Sequence, residues 1–242
     1  MSEESLNDNQ LSGRADIHMH TTASDGRATV TELLDYVAAQ GRLQVIAITD
    51  HDVLESSLWA YEHRSGYPFD IIPGVEVSSR DGHVLGLWVT QPIPRDMTLT
   101  ETAAAIHAQS GVAVLAHPFE PLIHTHMLWR YLRRPEVLLE TGIDAIEVHN
   151  SGTPTPGGNW LSRRMAAKIN LPMTGSSDAH TLTGIGCGIT RFKGRTAQDL
   201  REALVNGKTV AEGVPWPITD YLRLLPSSTQ RKLSASLGLN TH

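Results

Sequence analysis

From residue 15 to about residue 211, short apolar runs alternate with amphipathic stretches. Val30, Leu33, Leu34 and Val37 recur at the three-to-four spacing of a half-buried helix. They predict a helix over 29–40, with Thr29 or Thr31 near its start and Gly41 as its stop. The same reading predicts helices over 54–63, 99–109, 127–140 (interrupted at Pro135), 159–170 and 196–206. The apolar runs between them have strand length: 15–18, 44–48, 70–77, 83–89, 112–115, 144–148, 171–175, 185–192 and 209–211. Asp81-Gly82, between two of these strands, is a hairpin signal. Strands alternating with helices predict a parallel α/β fold. No linker rich in Pro, Gly or Ser divides the chain and no long repeat is present, so one barrel fits better than two domains. Residues 1–13 read as a flexible tail and 14–212 as the barrel. Residues 213–242 leave the alternation: Ile218, Tyr221, Leu222, Leu225, Leu233 and Leu237 suggest one or two short helices packed across the barrel.

Composition narrows the class. In 242 residues, 40% are hydrophobic and 19% charged, too apolar for a disordered chain and enough for a core without staples. The formal charge of −6 argues against strong, sequence-independent binding to nucleic acid, although a local basic patch remains compatible with it. One cysteine, Cys187, leaves no internal disulfide and points to a reducing compartment. No apolar run reaches the roughly 18 residues that span a bilayer, and the polar start lacks a signal-peptide core. The expectation is a soluble cytoplasmic protein with no membrane partner.

The chain carries 12 histidines, and their positions matter more than their number. One strand runs into His18-Met19-His20, whose imidazoles, two residues apart, share a side. Others carry or lead to Asp50-His51-Asp52, Glu76, His83, His117, Glu147 with His149-Asn150, and Asp178-Ala179-His180. Almost every strand thus delivers a metal-ligand residue type, mostly at its C-terminal end, where barrel enzymes build their sites. Nitrogen and oxygen ligands without thiolate suit Zn, Mn or Fe. The set exceeds what one ion needs and suggests two or three divalent ions. Such a cluster acidifies water and clamps the oxygens of a phosphoryl group, so hydrolysis follows from the ligands and a phosphate ester is a further step.

Seven segments carry a resemblance: HMHTTASDG (18–26), TDHD (49–52), GVEVSS (74–79), HVLGL (83–87), AHPF (116–119), EVHN (147–150) and SSDAH (176–180), with TRF (190–192) after them. In this order they resemble the polymerase and histidinol phosphatase (PHP) superfamily of metal-dependent phosphoesterases. The resemblance implies an irregular (β/α)7 TIM-like barrel and a trinuclear site where a metal-bridging hydroxide attacks the ester. It implies one ion on His18, His20, Glu76 and Asp178, a second on Glu76, His83 and His117, and a third on Asp25, His51 and His180. Asp25 is assigned by the resemblance alone, since Ser24-Asp25-Gly26 otherwise reads as a turn. Asp50 is expected to orient an imidazole, and Asp52 to cap the following helix.

His149 is the candidate general acid or substrate contact, with a hydrogen-bonding role as the alternative. His124 and His126 fall in a loop over the mouth, and His63, His107 and His242 read as surface residues. Arg130, Arg133, Arg134, Arg163, Arg164 and Arg191 are candidates for holding a phosphate. Many relatives have Arg just after AHP-x, where this chain has Glu120. Relatives acting on nucleotide bisphosphates or RNA ends commonly carry a helical insertion before the AHP segment, for which 84–116 leaves little room. The expected substrate is therefore a small phosphomonoester or nucleotide, and nucleic acid is not favoured. The alternatives are a 5′–3′ exonuclease or nucleotide 3′,5′-bisphosphate phosphatase, a hydrolase of C–N bonds on a similar barrel, and a non-catalytic, metal-binding regulatory domain.

Overall fold

The computed structural model describes residues 11–119 and 131–224. Nine strands form one sheet in the order β7-β6-β5-β4-β3-β2-β1-β8-β9. They are β1 (Gly13–Asp16), β2 (Val45–Ile48), β3 (Asp70–Ser79), β4 (Gly82–Leu87), β5 (Val112–Leu115), β6 (Ala145–Asn150), β7 (Met173–Ser176), β8 (Gly188–Phe192) and β9 (Val210–Gly213). The helices are α1 (Val30–Gln40), α2 (Glu55–Glu62), α3 (Leu99–His107), α4 (Gly158–Ile169), α5 (Ala197–Val205) and α6 (Ile218–Leu224). Most expected elements form within a few residues of their expected bounds. In the described part of the helix expected over 127–140, residues 131–133 are helical and the chain breaks before a 3-10 stretch at Pro135–Glu140, the interruption expected at Pro135, which cannot continue an α-helix.

The sheet is mixed, which corrects the expectation of a parallel one. β1-β2-β3 and β5-β6-β7 are parallel runs, whereas β4 is antiparallel to both β3 and β5, and β8 to both β1 and β9. The reversal of β4 is the hairpin that Asp81-Gly82 signalled, whereas strand–helix alternation does not reveal the reversal of β8. The sheet comes close to closing on itself. Beyond the end of β1 the chain returns to the sheet through a parallel bridge between Met19 and Ala179, past the end of β7. His20 N donates there to the Ala179 carbonyl at 2.9 Å.

One apolar cluster draws Ala15, Ile17, Val45, Ala47, Ile72, Leu85, Val114 and Ala145 from strands all round the sheet, together with Leu200 and Leu204 of α5. This is the barrel interior, plugged by α5 at the end where the parallel strands begin. Asp70, the first residue of β3, accepts a hydrogen bond from Ala197 N at 2.7 Å, which places α5 there. Two outer clusters pack α1 and α2 on β2 and β3, and α3 and α4 on β3–β6. Helices α1, α3 and α5 each begin with a reciprocal cap, Thr29 with Glu32, Thr98 with Glu101 and Thr196 with Asp199. The end opposite α5 is free to hold polar chemistry. No helix among the described residues is long and apolar enough to cross a membrane.

Candidate metal centre

His18, His20, Asp25, His51, Glu76, His83, His117, Asp178 and His180 meet in one connected cluster at the C-terminal end of the parallel strands. The mixed sheet explains why His83 joins them from the start of its strand: β4 runs the other way, so its first residues lie at this end.

Glu76 is the centre. Its carboxylate is fully buried on β3 and faces five imidazoles. Oε1 lies 2.9 Å from His83 Nδ1 and 3.0 Å from His117 Nε2. Oε2 lies 3.0 Å from His18 Nε2, 3.2 Å from His51 Nδ1 and 3.3 Å from His20 Nε2. The two oxygens thus address different sets of rings. Asp178 Oδ1 completes one set at 3.4 Å from His18 Nε2 and 3.1 Å from His20 Nε2. The half-exposed Asp25 forms another, with Oδ2 3.1 Å from His180 Nε2 and 3.8 Å from His51 Nε2.

These distances favour a cation over protons as the partner. A carboxylate offers about four lone-pair directions, fewer than the five ring nitrogens crowding Glu76. His20 Nδ1 is buried with no hydrogen-bond partner and lies 3.6 Å from Asp25 Oδ1. The electrostatics agree. Burial opposes charge on His18, yet Asp178, Glu76 and Glu147 outweigh it and raise the ring well above its ordinary pKa. Burial likewise opposes charge on Glu76, but His18 and His83 hold it well below the usual carboxylate range. His180 rises to about 9 despite burial, because Asp25 and Asp178 face it. The cluster therefore holds protons where divalent ions would supply the positive charge, and an all-nitrogen-and-oxygen donor set suits such ions.

The supporting side chains are as ordered as the ligand types. Glu147 is fully buried and its oxygens are saturated. Oε1 accepts from His18 Nδ1 at 3.0 Å and Ser176 Oγ at 2.7 Å, and Oε2 from His117 N at 2.8 Å and Asn150 Nδ2 at 2.9 Å. It orients His18 and leaves no lone pair for an ion, the usual carboxylate–histidine relay behind a metal ligand. A lone carboxylate inside the apolar run Ala145–Val148 is the signal in the sequence that identifies it. Asp50 corrects an expectation: it holds no imidazole. It accepts from Thr21 N and Oγ1, both at 2.7 Å, from Ser24 Oγ at 2.6 Å and from Ser56 Oγ, and so fixes the loop that carries Asp25. Gly26 is needed in that loop because a Cβ there would strike the His20 carbonyl. Asp52 also departs from expectation. It accepts from Ser78 N at 2.8 Å, and α2 has no side-chain cap. His117 (φ 26°) and Asp178 (φ 52°) have left-handed backbones, conformations that side chains adopt only when the surroundings hold them.

The structure does not bring His149 to this cluster. The β6–β7 register shifts between Glu147 and His149, so the alternation that would aim both inward is broken, and Asn150 takes the inward place. His149 Nε2 instead lies 3.3 Å from Ser151 Oγ and packs against Gly213. Burial there lowers its pKa. The arginine candidates are also held elsewhere: Arg163 donates to the Ala211 carbonyl, Arg164 lies over Trp160, and Arg191 bonds the Leu11 carbonyl and Glu212. Arg133 and Arg134 are exposed. His63 bonds the Trp59 carbonyl and His107 pairs with Asp144 at 2.8 Å, both away from the site. Glu120, His124, His126, Arg130 and His242 lie outside the described residues.

The PHP domain model matches residues 16–131, and a PHP-associated model matches 156–209. An uncharacterised protein of Methanocaldococcus jannaschii is 24% identical over 148 residues, covering 57% of this chain and 82% of that protein. The 5′–3′ exoribonuclease Rnm of Salmonella typhimurium is 38% identical over 105 residues, 40% of this chain but only 36% of the exoribonuclease. A crystal structure from Bacteroides vulgatus, a two-domain protein containing a predicted PHP-like metal-dependent phosphoesterase, superposes with a TM-score of 0.67 at 21% identity. It covers 83% of this chain and 64% of that one, and shares the fold. The two family models take in the loops that carry nearly every clustered side chain, and the chain belongs to the PHP superfamily.

Proposed function

We propose that this protein is a metal-dependent hydrolase of phosphate esters with a trinuclear centre. The first ion would be held by His18, His20, Glu76 and Asp178, the second by Glu76, His83 and His117, and the third by Asp25, His51 and His180. The observation that carries this reading is Glu76, whose two buried oxygens address separate sets of imidazoles. Divalent ions, when bound, acidify water and offset the charge of a phosphoryl group. The chain's own residues supply the rest. Glu147 fixes His18, Asp50 fixes the Asp25 loop, and the apolar interior beneath holds the ligands in place. His149 has no part in proton transfer on this reading.

The substrate proposed is a small phosphomonoester or a nucleotide. A second reading, cleavage at a 5′ end of RNA or of a nucleotide bisphosphate, is favoured by the exoribonuclease relative and opposed by the acidic net charge. A purely regulatory metal domain is opposed by the complete set of clustered ligand types. A screen of sugar phosphates, nucleotides, 3′,5′-bisphosphates and 5′-phosphorylated oligonucleotides, run with Zn, Mn and Fe, separates these. Turnover on monoesters alone supports the first reading, turnover on oligonucleotides or bisphosphates the second, and none on any substrate would sink both.

A further inference from the structure

The residues beyond β9 form a strap over the loop that carries Asp178 and His180, and both family models end before it. Val214 N donates to the Cys187 carbonyl at 2.8 Å, and Trp216 N to the Ser151 carbonyl at 3.1 Å. The Trp216 side chain is buried, and its indole Nε1–H donates to the Ser177 carbonyl at 2.7 Å. Its ring meets the His180 ring edge-on, with centroids 5.7 Å apart. Gly152 makes room for it, since a Cβ there would lie 2.7 Å from Trp216 Cζ2. Tyr221 also packs against the indole, with ring centroids 5.2 Å apart, and donates its hydroxyl to the Ser151 carbonyl at 3.1 Å. Asp220, also buried, accepts from Thr183 Oγ1 at 2.7 Å. The strap therefore grips the ligand loop at Ser177, His180 and Thr183.

This grip falls where the backbone needs it. Asp178, next to the bonded Ser177 carbonyl, has a positive φ of 52°. Its own carbonyl accepts from His180 Nδ1 at 2.8 Å, which leaves His180 Nε2 to face Asp25. A chain of contacts thus runs from the indole through Ser177 and Asp178 to the ring nitrogen that faces the third set of ligands. We propose that Trp216 is a positioning residue for the third ion: it holds the His180 ring in the orientation that presents Nε2 to Asp25 and His51. The proposal rests on the trinuclear reading above. It makes the third ion depend on a segment outside the barrel strands, while the ion on Glu76, His83 and His117 has no ligand on the gripped loop.

The test compares the wild-type protein with Trp216→Ala, Trp216→Phe and His180→Ala. Bound Zn is counted after dialysis against a series of buffered free Zn concentrations, and the visible absorption of Co-loaded protein is recorded. Trp216→Ala is expected to weaken the third ion by about 10–100-fold, as loss of a partner behind a ligand typically does, and to leave the ion on Glu76, His83 and His117 unchanged. Trp216→Phe keeps an aromatic face but loses the N–H, so it should weaken the same ion less and shift its Co absorption. If Trp216→Ala does not fold, Trp216→Phe decides. Wild-type affinities and spectra in the folded Trp216 variants, with one ion lost in His180→Ala, would overturn the positioning role alone. A full complement of ions in His180→Ala would remove the third site itself, and the proposal with it.

Discussion

Glu76 concentrates the chemistry of the site in one side chain. Gln keeps its shape but removes the charge that faces the imidazoles on both of its oxygens. Glu76→Gln is expected to bind at least one ion fewer and to lose on the order of 10²–10³ in turnover while staying folded. Retention of all ions with near-normal turnover would show that Glu76 bridges nothing. His149 is the reverse case. It touches Ser151 and the strand of Gly213 rather than the cluster, so His149→Gln should keep kcat/KM within a few-fold of wild type. Cys187 belongs with it: its thiol is half-buried, lies 3.7 Å from the Thr183 carbonyl, and is held protonated by burial and by Asp16 and Asp220. A Cys187→Ser enzyme that lost more than about a hundredfold, roughly 2.7 kcal/mol in barrier, would contradict that assignment.

At the scale of elements, the helices stabilise the barrel without entering its chemistry. The cap on α3 shows this separation, because Thr98 is half-buried, Glu101 is exposed, and neither bonds a clustered residue. Thr98→Ala is expected to cost about 1 kcal/mol of stability, seen as a lower denaturant midpoint, with metal content and turnover unchanged. The loops behave differently. The stretch from Thr21 to Gly26 is tied to Asp50 by three hydrogen bonds and is thereby coupled to the end of β2. The sequence signalled helix stops and starts clearly, through Thr29 and Gly41, because those signals are local. The hairpin signal at Asp81-Gly82 marked the reversal of β4 for the same reason, but nothing local marked that of β8, because strand direction there depends on which neighbours the strand finds.

For the molecule as a whole, the cluster of like-charged carboxylates and crowded imidazoles couples folding to metal. Ions that bind only the folded state stabilise it by mass action. Removing them with a chelator should lower the melting temperature, and adding Zn or Mn back should restore it. Protons compete for the same atoms. His180 titrates near 9 in the metal-free chain, so below that pH its ring is protonated and must release a proton to take an ion. The affinity of that site should therefore rise about tenfold per pH unit between roughly pH 6 and 8 and level off above about 9. Competitive metal titrations at several pH values check this, and a flat profile across that interval would contradict it.

The residue types and their order along the chain were enough to locate the metal chemistry. A histidine or carboxylate at successive strand ends can be read in one dimension, because each strand needs only its own apolar run to be recognised. The pairing of His18 with His20 was legible for the same reason. Three features were not. Glu147 and His149 stand two residues apart and look equivalent, yet a register shift between β6 and β7 sends one into the cluster and the other away from it. Asp50 beside His51 looks like a partner for an imidazole, yet it binds the Thr21–Ser24 loop, which lies next to it only after β1 and β2 have paired. Trp216 carries no metal-binding group, and its contact with His180 arises from packing between segments distant in sequence. Local patterns record what a side chain can do, whereas pairing register and packing choose which side chains meet, and these depend on the whole sheet at once.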